Sequence, residues 1–193
     1  MSCNGRHYRA VVIGASAGGL AALSSVLEGL KPSFCLPILV VQHISAHAES
    51  YLPVHLANRC ALPVKEAEDK EPIRRGNLYI APPNYHMLVE FDGCIALSID
   101  PLVNFSRPSI DVLFESAADY FAEELIGVVL TGANADGAVG LKHIADKGGM
   151  TIVQSIKTAE ASAMPEAALE AVDVDYILDL QDIGHFLSDI CEC

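Results

Sequence analysis

The chain is short of positive charge. Its 193 residues hold 12 Lys and Arg against 25 Asp and Glu, a formal net charge of −13 at pH 7. A surface of that sign repels a phosphate backbone and speaks against a nucleic-acid binder, and any anionic partner would need a locally basic patch. The six cysteines (Cys3, Cys35, Cys60, Cys94, Cys191, Cys193) include no C-x-x-C pair. Cys35 and Cys94, beside apolar residues, read as buried thiols, while Cys191 and Cys193 read as incidental to the chain end. That usage fits a reducing cytosol better than a disulfide scaffold, so a cytoplasmic protein is expected. Long apolar runs are missing too. Only Ala10 to Ile13 separate Arg9 from Gly14, too few for the apolar core of a secretory signal. The uncharged span Ala10–Leu27 contains Gly14, Gly18, Gly19 and several serines, which excludes it as a membrane helix. There is no repeat, low-complexity tract or linker, and an apolar fraction of 51% against 19% charged describes a globular chain. One domain over residues 1–193 is expected.

What is there alternates between short β-rich runs and helical ones. Ala10–Ile13, Pro37–Ile44, Gly76–Pro83, Ile126–Gly132, Met150–Ser155 and Tyr176–Leu180 read as strands. Leu20–Leu30, Ser50–Arg59, Ser109–Leu125, the stretch up to Lys147, Met164–Ala171 and Ile183–Ile190 read as helices. The helix from Ser109 rests on Ile110, Leu113, Phe114, Ala117, Ala118, Phe121, Ala122 and Leu125, which recur at helical spacing. Asp92-Gly93 between two apolar runs predicts a β-hairpin over Met87–Ser98. Strands that are apolar throughout, alternating with helices, predict a doubly wound α/β fold: a mostly parallel sheet covered on both faces, with one antiparallel hairpin. Such sheets bind ligands beyond the carboxyl ends of their strands. The residues after Ile13, Val41, Ile80 and Leu130 are therefore the candidates.

A serine, a histidine and an aspartate follow three of those strands. Gly14-Ala15-Ser16-Ala17-Gly18 matches G-x-S-x-G, a tight strand-to-helix turn that exposes a serine hydroxyl. The alternatives for this turn are an N-capping serine and a phosphate cradle. In the dinucleotide fingerprint G-x-G-x-x-G, however, Ser16 would occupy the second glycine's place, and Phe34–Val41 lacks the expected acidic residue. His43 follows the second strand. Its rivals as a base are His86, at a strand exit, and His47 and His55 in the next loop and helix; His7 is near the terminus, and His143 and His185 sit in helices. Asp136 stands at a helix start, where an N-cap is the competing role. Taken together, the three types are what nucleophilic acyl transfer needs: the imidazole takes the serine proton and the carboxylate holds the imidazole tautomer.

The stretches "IGASAGG", "VVQHI", "YIAPPNYHM", "RPSIDVLF", "VVLTGANADG" and "MPEAAL", in order from about Arg9 to Leu187, resemble the catalytic domain of the CheB-type protein-glutamate methylesterases, the chemotaxis receptor demethylases. The resemblance implies a serine hydrolase that removes methyl groups from glutamate methyl esters of methyl-accepting chemotaxis receptors or a similar methylated signalling protein, and that also deamidates glutamines. No cofactor and no metal is implied. The nucleophile maps to Ser16, the histidine to His43 and the aspartate to Asp136. The amides of Ala17 and of the loop Gly132, Ala133, Asn134 and Ala135 are the expected oxyanion donors, and Arg107 the expected contact for an acidic substrate. Two features depart from the better-known members. Their Met-Gly-Asn before the aspartate is Ala133-Asn134-Ala135 here. They also carry an N-terminal receiver domain, for which Met1 to Arg9 leave no room, so control by a phosphorylated aspartate over the cleft is not expected. The rival classes are a nucleotide-binding signalling module and a catalytically idle docking domain.

Overall fold

Every residue of β1 (Ala10–Ala15) is buried, which places this strand in the middle of the molecule. The structure, a computed structural model, describes residues 7–44 and 51–191. After β1 the chain forms α1 (Gly19–Glu28), β2 (Ile38–Gln42), α2 (Leu52–Ala57), β3 (Val64–Glu66), β4 (Leu78–Ile80), β5 (His86–Val89), β6 (Ile95–Ser98), α3 (Ile110–Phe121), β7 (Leu125–Val129), α4 (Ala138–Asp146), β8 (Met150–Gln154), α5 (Ala163–Ala171), β9 (Tyr176–Leu178) and α6 (Leu180–Ile190). Seven strands make one parallel sheet in the order β3-β4-β2-β1-β7-β8-β9, and β5 and β6 pair antiparallel as a sheet of two. The expected doubly wound α/β fold is the fold observed.

Alternation along β1 divides the core. Val11, Ile13 and Ala15 pack with Leu23, Val26, Leu27, Ile183 and Leu187 of α1 and α6, and Ala10 and Val12 pack with Leu113, Phe114, Leu141 and Ile144 of α3 and α4. Both faces of the sheet are thus covered, as an all-parallel sheet requires. From β1 the chain winds outward through β2, then crosses back to enter β7 on β1's other side. The reversal between β1 and β7 opens a crevice at their carboxyl ends.

Several local expectations change. β3 has no apolar run, and it holds as an edge strand through pairing with β4 alone. The helix α3 stops at Phe121, and a 3₁₀ turn over Ala122–Glu124 leads straight into β7, because Leu125 belongs to the sheet. Cys35 is disulfide-bonded and only half-buried, so it is not the buried thiol expected. Cys94 is a free thiol, half-buried, and Cys191 is buried against the core rather than incidental. Cys3, Cys193, His47 and Ser50 lie outside the described residues. Among the described residues no helix is long and apolar enough to cross a membrane.

Candidate active site

Ser16 follows β1 directly, held in place because its N–H donates to the Thr131 carbonyl at 2.9 Å. The turn closes with Gly18 at φ +75, a conformation that favours glycine. Gly18 is the N-cap of α1 with no side-chain cap, which rules out the capping role for Ser16. Two turn amides are also spent inside the protein, Ser16 N–H on Thr131 and Gly19 N–H on the Ser16 carbonyl. A phosphate cradle would need them free.

The Ser16 hydroxyl lies 3.2 Å from His43 Nδ1, and His43 Nε2 lies 2.8 Å from Asp136 Oδ2. An ionised carboxylate only accepts, so Nε2 carries the proton and Nδ1 is left to accept from the serine. Gln42 fixes Ser16 and His43 to each other. Its Nε2 donates to the Ser16 carbonyl at 2.8 Å and to the His43 carbonyl at 3.0 Å, while its Oε1 is buried without a partner among the described residues. The sheet register explains the proximity, because Ala15 pairs with Gln42 and their next residues therefore emerge side by side.

Asp136 is fully buried and does not cap the helix that follows it; Gly137 at φ +96 is that helix's N-cap. Its carboxylate instead sits at the N-terminus of α3. It accepts from Ile110 N–H at 2.6 Å, Asp111 N–H at 3.2 Å, Ser109 Oγ at 2.9 Å and Asn104 Nδ2 at 2.9 Å, besides His43. Burial alone would raise its pKa. The bonds from His43, Asn104, Ile110 and Ser109 outweigh that and hold it below the usual carboxylate range.

Asp111 returns the arrangement: its Oδ1 accepts from Gly137 N–H at 2.9 Å and Gly140 N–H at 2.7 Å at the start of α4. Each helix N-terminus thus receives a carboxylate from the other's segment, and each dipole favours the charge. Burial pushes the Asp111 pKa up; its three hydrogen bonds pull it down and the Asp136 charge adds to the rise, leaving it at about 6. The exchange needs α3 close to β1 and α4. A side chain at Gly14 would collide with Ile110, and a methyl at Gly140 would stand 2.5 Å from Phe114 Cβ and 3.1 Å from the Asp111 Cα.

Around the triad the expected residues divide. Ala17 is exposed at the start of α1, and among the described residues nothing accepts its N–H. Gly132 N–H is taken by the Ala161 carbonyl at 3.0 Å, which removes it as an oxyanion donor. Asn134 forms an Asx turn, its Oδ1 accepting from Asp136 N–H, and turns its Nδ2 to within 3.4 Å of His43 Nδ1. Ala133 beside it is exposed. A groove of about 240 Å³ leads to His43, lined by Asn84, Leu102, Phe105 and Arg107 among others. Arg107 borders it, but its guanidinium holds the loop, donating to the carbonyls of Ile99 and Asp100 at 2.6 and 2.8 Å and to Asn84 Oδ1.

The rival histidines are elsewhere. His86 is buried, accepts from Ser109 N–H and donates to the Pro101 carbonyl. His55 meets Ser24, and His143 pairs with Asp119. Gln42 stands at one of the strand ends put forward as candidates, without a role of its own; the sequence reading missed Asn104, Ser109 and Asp111 as site residues. Two of them, Ser109 and Asp111, stand inside "RPSIDVLF", a stretch already singled out, but nothing in it says that α3 points its N-terminus at β7.

Three comparisons bear on this geometry. The CheB methylesterase family pattern matches residues 11–187. The chain is 51% identical over 178 residues to a Leptospira interrogans protein named, provisionally, protein-glutamate methylesterase/protein-glutamine glutaminase, with 92% of each covered. It is 42% identical to the protein-glutamate methylesterase/protein-glutamine glutaminase 2 of Anaeromyxobacter dehalogenans, covering 93% of this chain and 52% of that one. It thus spans about half the length of that relative and nearly all of the first. Its fold superposes on the crystal structure of the Thermotoga maritima CheB methylesterase catalytic domain with a TM-score of 0.89 at 32% identity, covering 94% of this chain and 98% of that one.

Proposed function

The chain belongs to the CheB methylesterase family, and on that premise we propose that it hydrolyses the methyl esters of glutamate side chains on methyl-accepting chemotaxis receptors, with Ser16, His43 and Asp136 as its catalytic triad. The observation that carries the reading is the unbroken hydrogen-bond chain from Ser16 Oγ through His43 to Asp136.

In this mechanism Ser16 Oγ attacks the ester carbonyl while His43 Nδ1 takes its proton. The Asp136 carboxylate keeps the other ring proton on Nε2 and stabilises the imidazolium that forms. The negative charge on the tetrahedral oxygen falls to the Ala17 N–H, at the positive end of α1, and to the amides of Ala133 and Asn134. Collapse expels methoxide, which leaves as methanol with the proton from His43. The glutamyl-serine ester is then hydrolysed by a water that His43 deprotonates, freeing the glutamate and returning the proton to Ser16. With a glutamine side chain the same steps expel ammonia. The groove beside His43, with Leu102 and Phe105 on its wall, receives the receptor segment.

The test is release of volatile tritiated methanol from methyl-labelled receptors. Wild-type protein is expected to release it and Ser16→Ala protein is not. Equal release from both would end the assignment.

A further inference from the structure

The loop from Ile99 to Pro108 does two things at once. Its outer side carries Leu102 and Phe105, 57% and 98% exposed, on the wall of the groove that reaches His43. Its inner side sends the Asn104 amide onto both buried carboxylates. Nδ2 donates to Asp111 Oδ2 at 2.7 Å and to Asp136 Oδ1 at 2.9 Å, so each of its two hydrogens serves one carboxylate. The backbone is shaped for this division. Asn104 and Phe105 both adopt positive φ, +49 and +61, a conformation that asparagine tolerates and that strains phenylalanine. Strain of that kind persists only where its surroundings over-determine it. The surroundings here are the Arg107 fork on Ile99, Asp100 and Asn84, and the Val103–Ser106 pair of backbone bonds.

Resting on the triad reading above, we propose that Asn104 is a positioning residue of the esterase: its amide ties the groove wall to the Asp136 carboxylate and, through Asp111, to the start of α4. The physical reason lies in what the pair of carboxylates would do without it. Asp136 and Asp111 are like charges in a buried site, and among the described residues the Asn104 N–H₂ group is the one donor that serves both. Asp136 Oδ2 is committed to His43 and to Ile110 N–H. Asn104 acts on the other oxygen, beside Ser109 Oγ and the Asp111 N–H, and it is the donor there that comes from the groove wall, so it joins in setting the rotation of the carboxylate and the line from Oδ2 to Nε2.

The experiment uses the full chain at pH 8 with two probes, the hydrolysis of p-nitrophenyl acetate and the rate at which a fluorophosphonate labels Ser16. Asn104→Ala is expected to lower kcat by about 10- to 100-fold with KM changed less than about threefold, because the loss falls on the transition state. Labelling should slow in parallel. Asn104→Ser, whose hydroxyl reaches at most one carboxylate, should fall between Asn104→Ala and wild type, and it decides the matter should the alanine variant fail to fold. Asp111→Asn turns a second amide towards Asn104 Nδ2 and breaks the same bridge. The double variant Asn104→Ala/Asp111→Asn should therefore cost clearly less than the product of the single losses. Unchanged kcat, a loss confined to KM, or losses that multiply would each overturn the proposal. A wild-type protein that the fluorophosphonate does not label overturns the triad reading and this inference with it. Wild type and Asn104→Ala labelled at the same rate overturn this inference alone.

Discussion

At the scale of single residues, the proposed triad predicts that its members fail in a definite order. Ser16→Ala removes the nucleophile and His43→Ala the only base within reach of it among the described residues. Each should cost on the order of 10⁴-fold or more in kcat. Asp136→Asn keeps the shape but replaces an acceptor with a donor facing His43 Nε2, which favours the wrong tautomer. Its loss should equal or fall short of the other two, with the fold intact by circular dichroism. A Ser16→Ala protein with near-normal ester hydrolysis would dismiss the triad. His43 leaves β2, on one side of β1 and Ser16, while Asp136 comes from the loop after β7, on β1's other side.

At the scale of elements, the site is made by two helix N-termini that exchange carboxylates. This gives a pH dependence of known sign. Asp111 titrates at about 6 in the folded protein, above its ordinary value near 3.8. The folded state therefore binds this proton more readily than the unfolded chain, and the group's contribution to stability falls as pH rises from about 4 to 6, then stays level. Asp136 acts oppositely: its lowered pKa contributes stability above the ordinary carboxylate value that is lost as pH falls below it. In Asp111→Asn the first slope disappears and the second remains. Urea midpoints at pH 4.5, 5.5 and 6.5 should show the advantage of wild type over Asp111→Asn shrinking across that window. A difference that grows with pH would contradict the assignment. The strands that hold these helices were legible because their runs are apolar throughout; β3 was not, because an edge strand with Lys65 and Glu66 has no such run.

At the scale of the whole molecule, charge governs encounter. The chain carries −13, and under the proposed function its substrate is an acid-rich receptor segment. Long-range repulsion then slows association, and salt relieves it, since charges more than about 8–10 Å apart are screened at physiological ionic strength. The expected result is a kcat/KM on methylated receptors that rises or stays flat from low to physiological salt. A steep fall would mean that a basic patch dominates docking. Arg107 keeps its charge, because its partners are neutral acceptors, but its side chain is held against the Ile99 and Asp100 carbonyls and Asn84 Oδ1.

The order of apolar and helical runs determined by itself that this chain folds as a doubly wound parallel sheet, and the residues leaving the first, second and seventh strands marked Ser16, His43 and Asp136. The fold reading succeeds because strand periodicity is a local property, and the strand-end positions that put the three residues forward as candidates are local too, written where the residues stand. Only the tertiary structure decided how the three are aligned and what surrounds them. Asn104, Ser109 and Asp111 reach Asp136 from up to 32 positions away in the chain. The contact exists because Gly14 and Gly140 let α3 press against β1 and α4. The withdrawal of the Gly132 amide onto Ala161 was likewise hidden. It depends on two segments meeting in space, and neither segment alone carries a pattern that says whom it will meet.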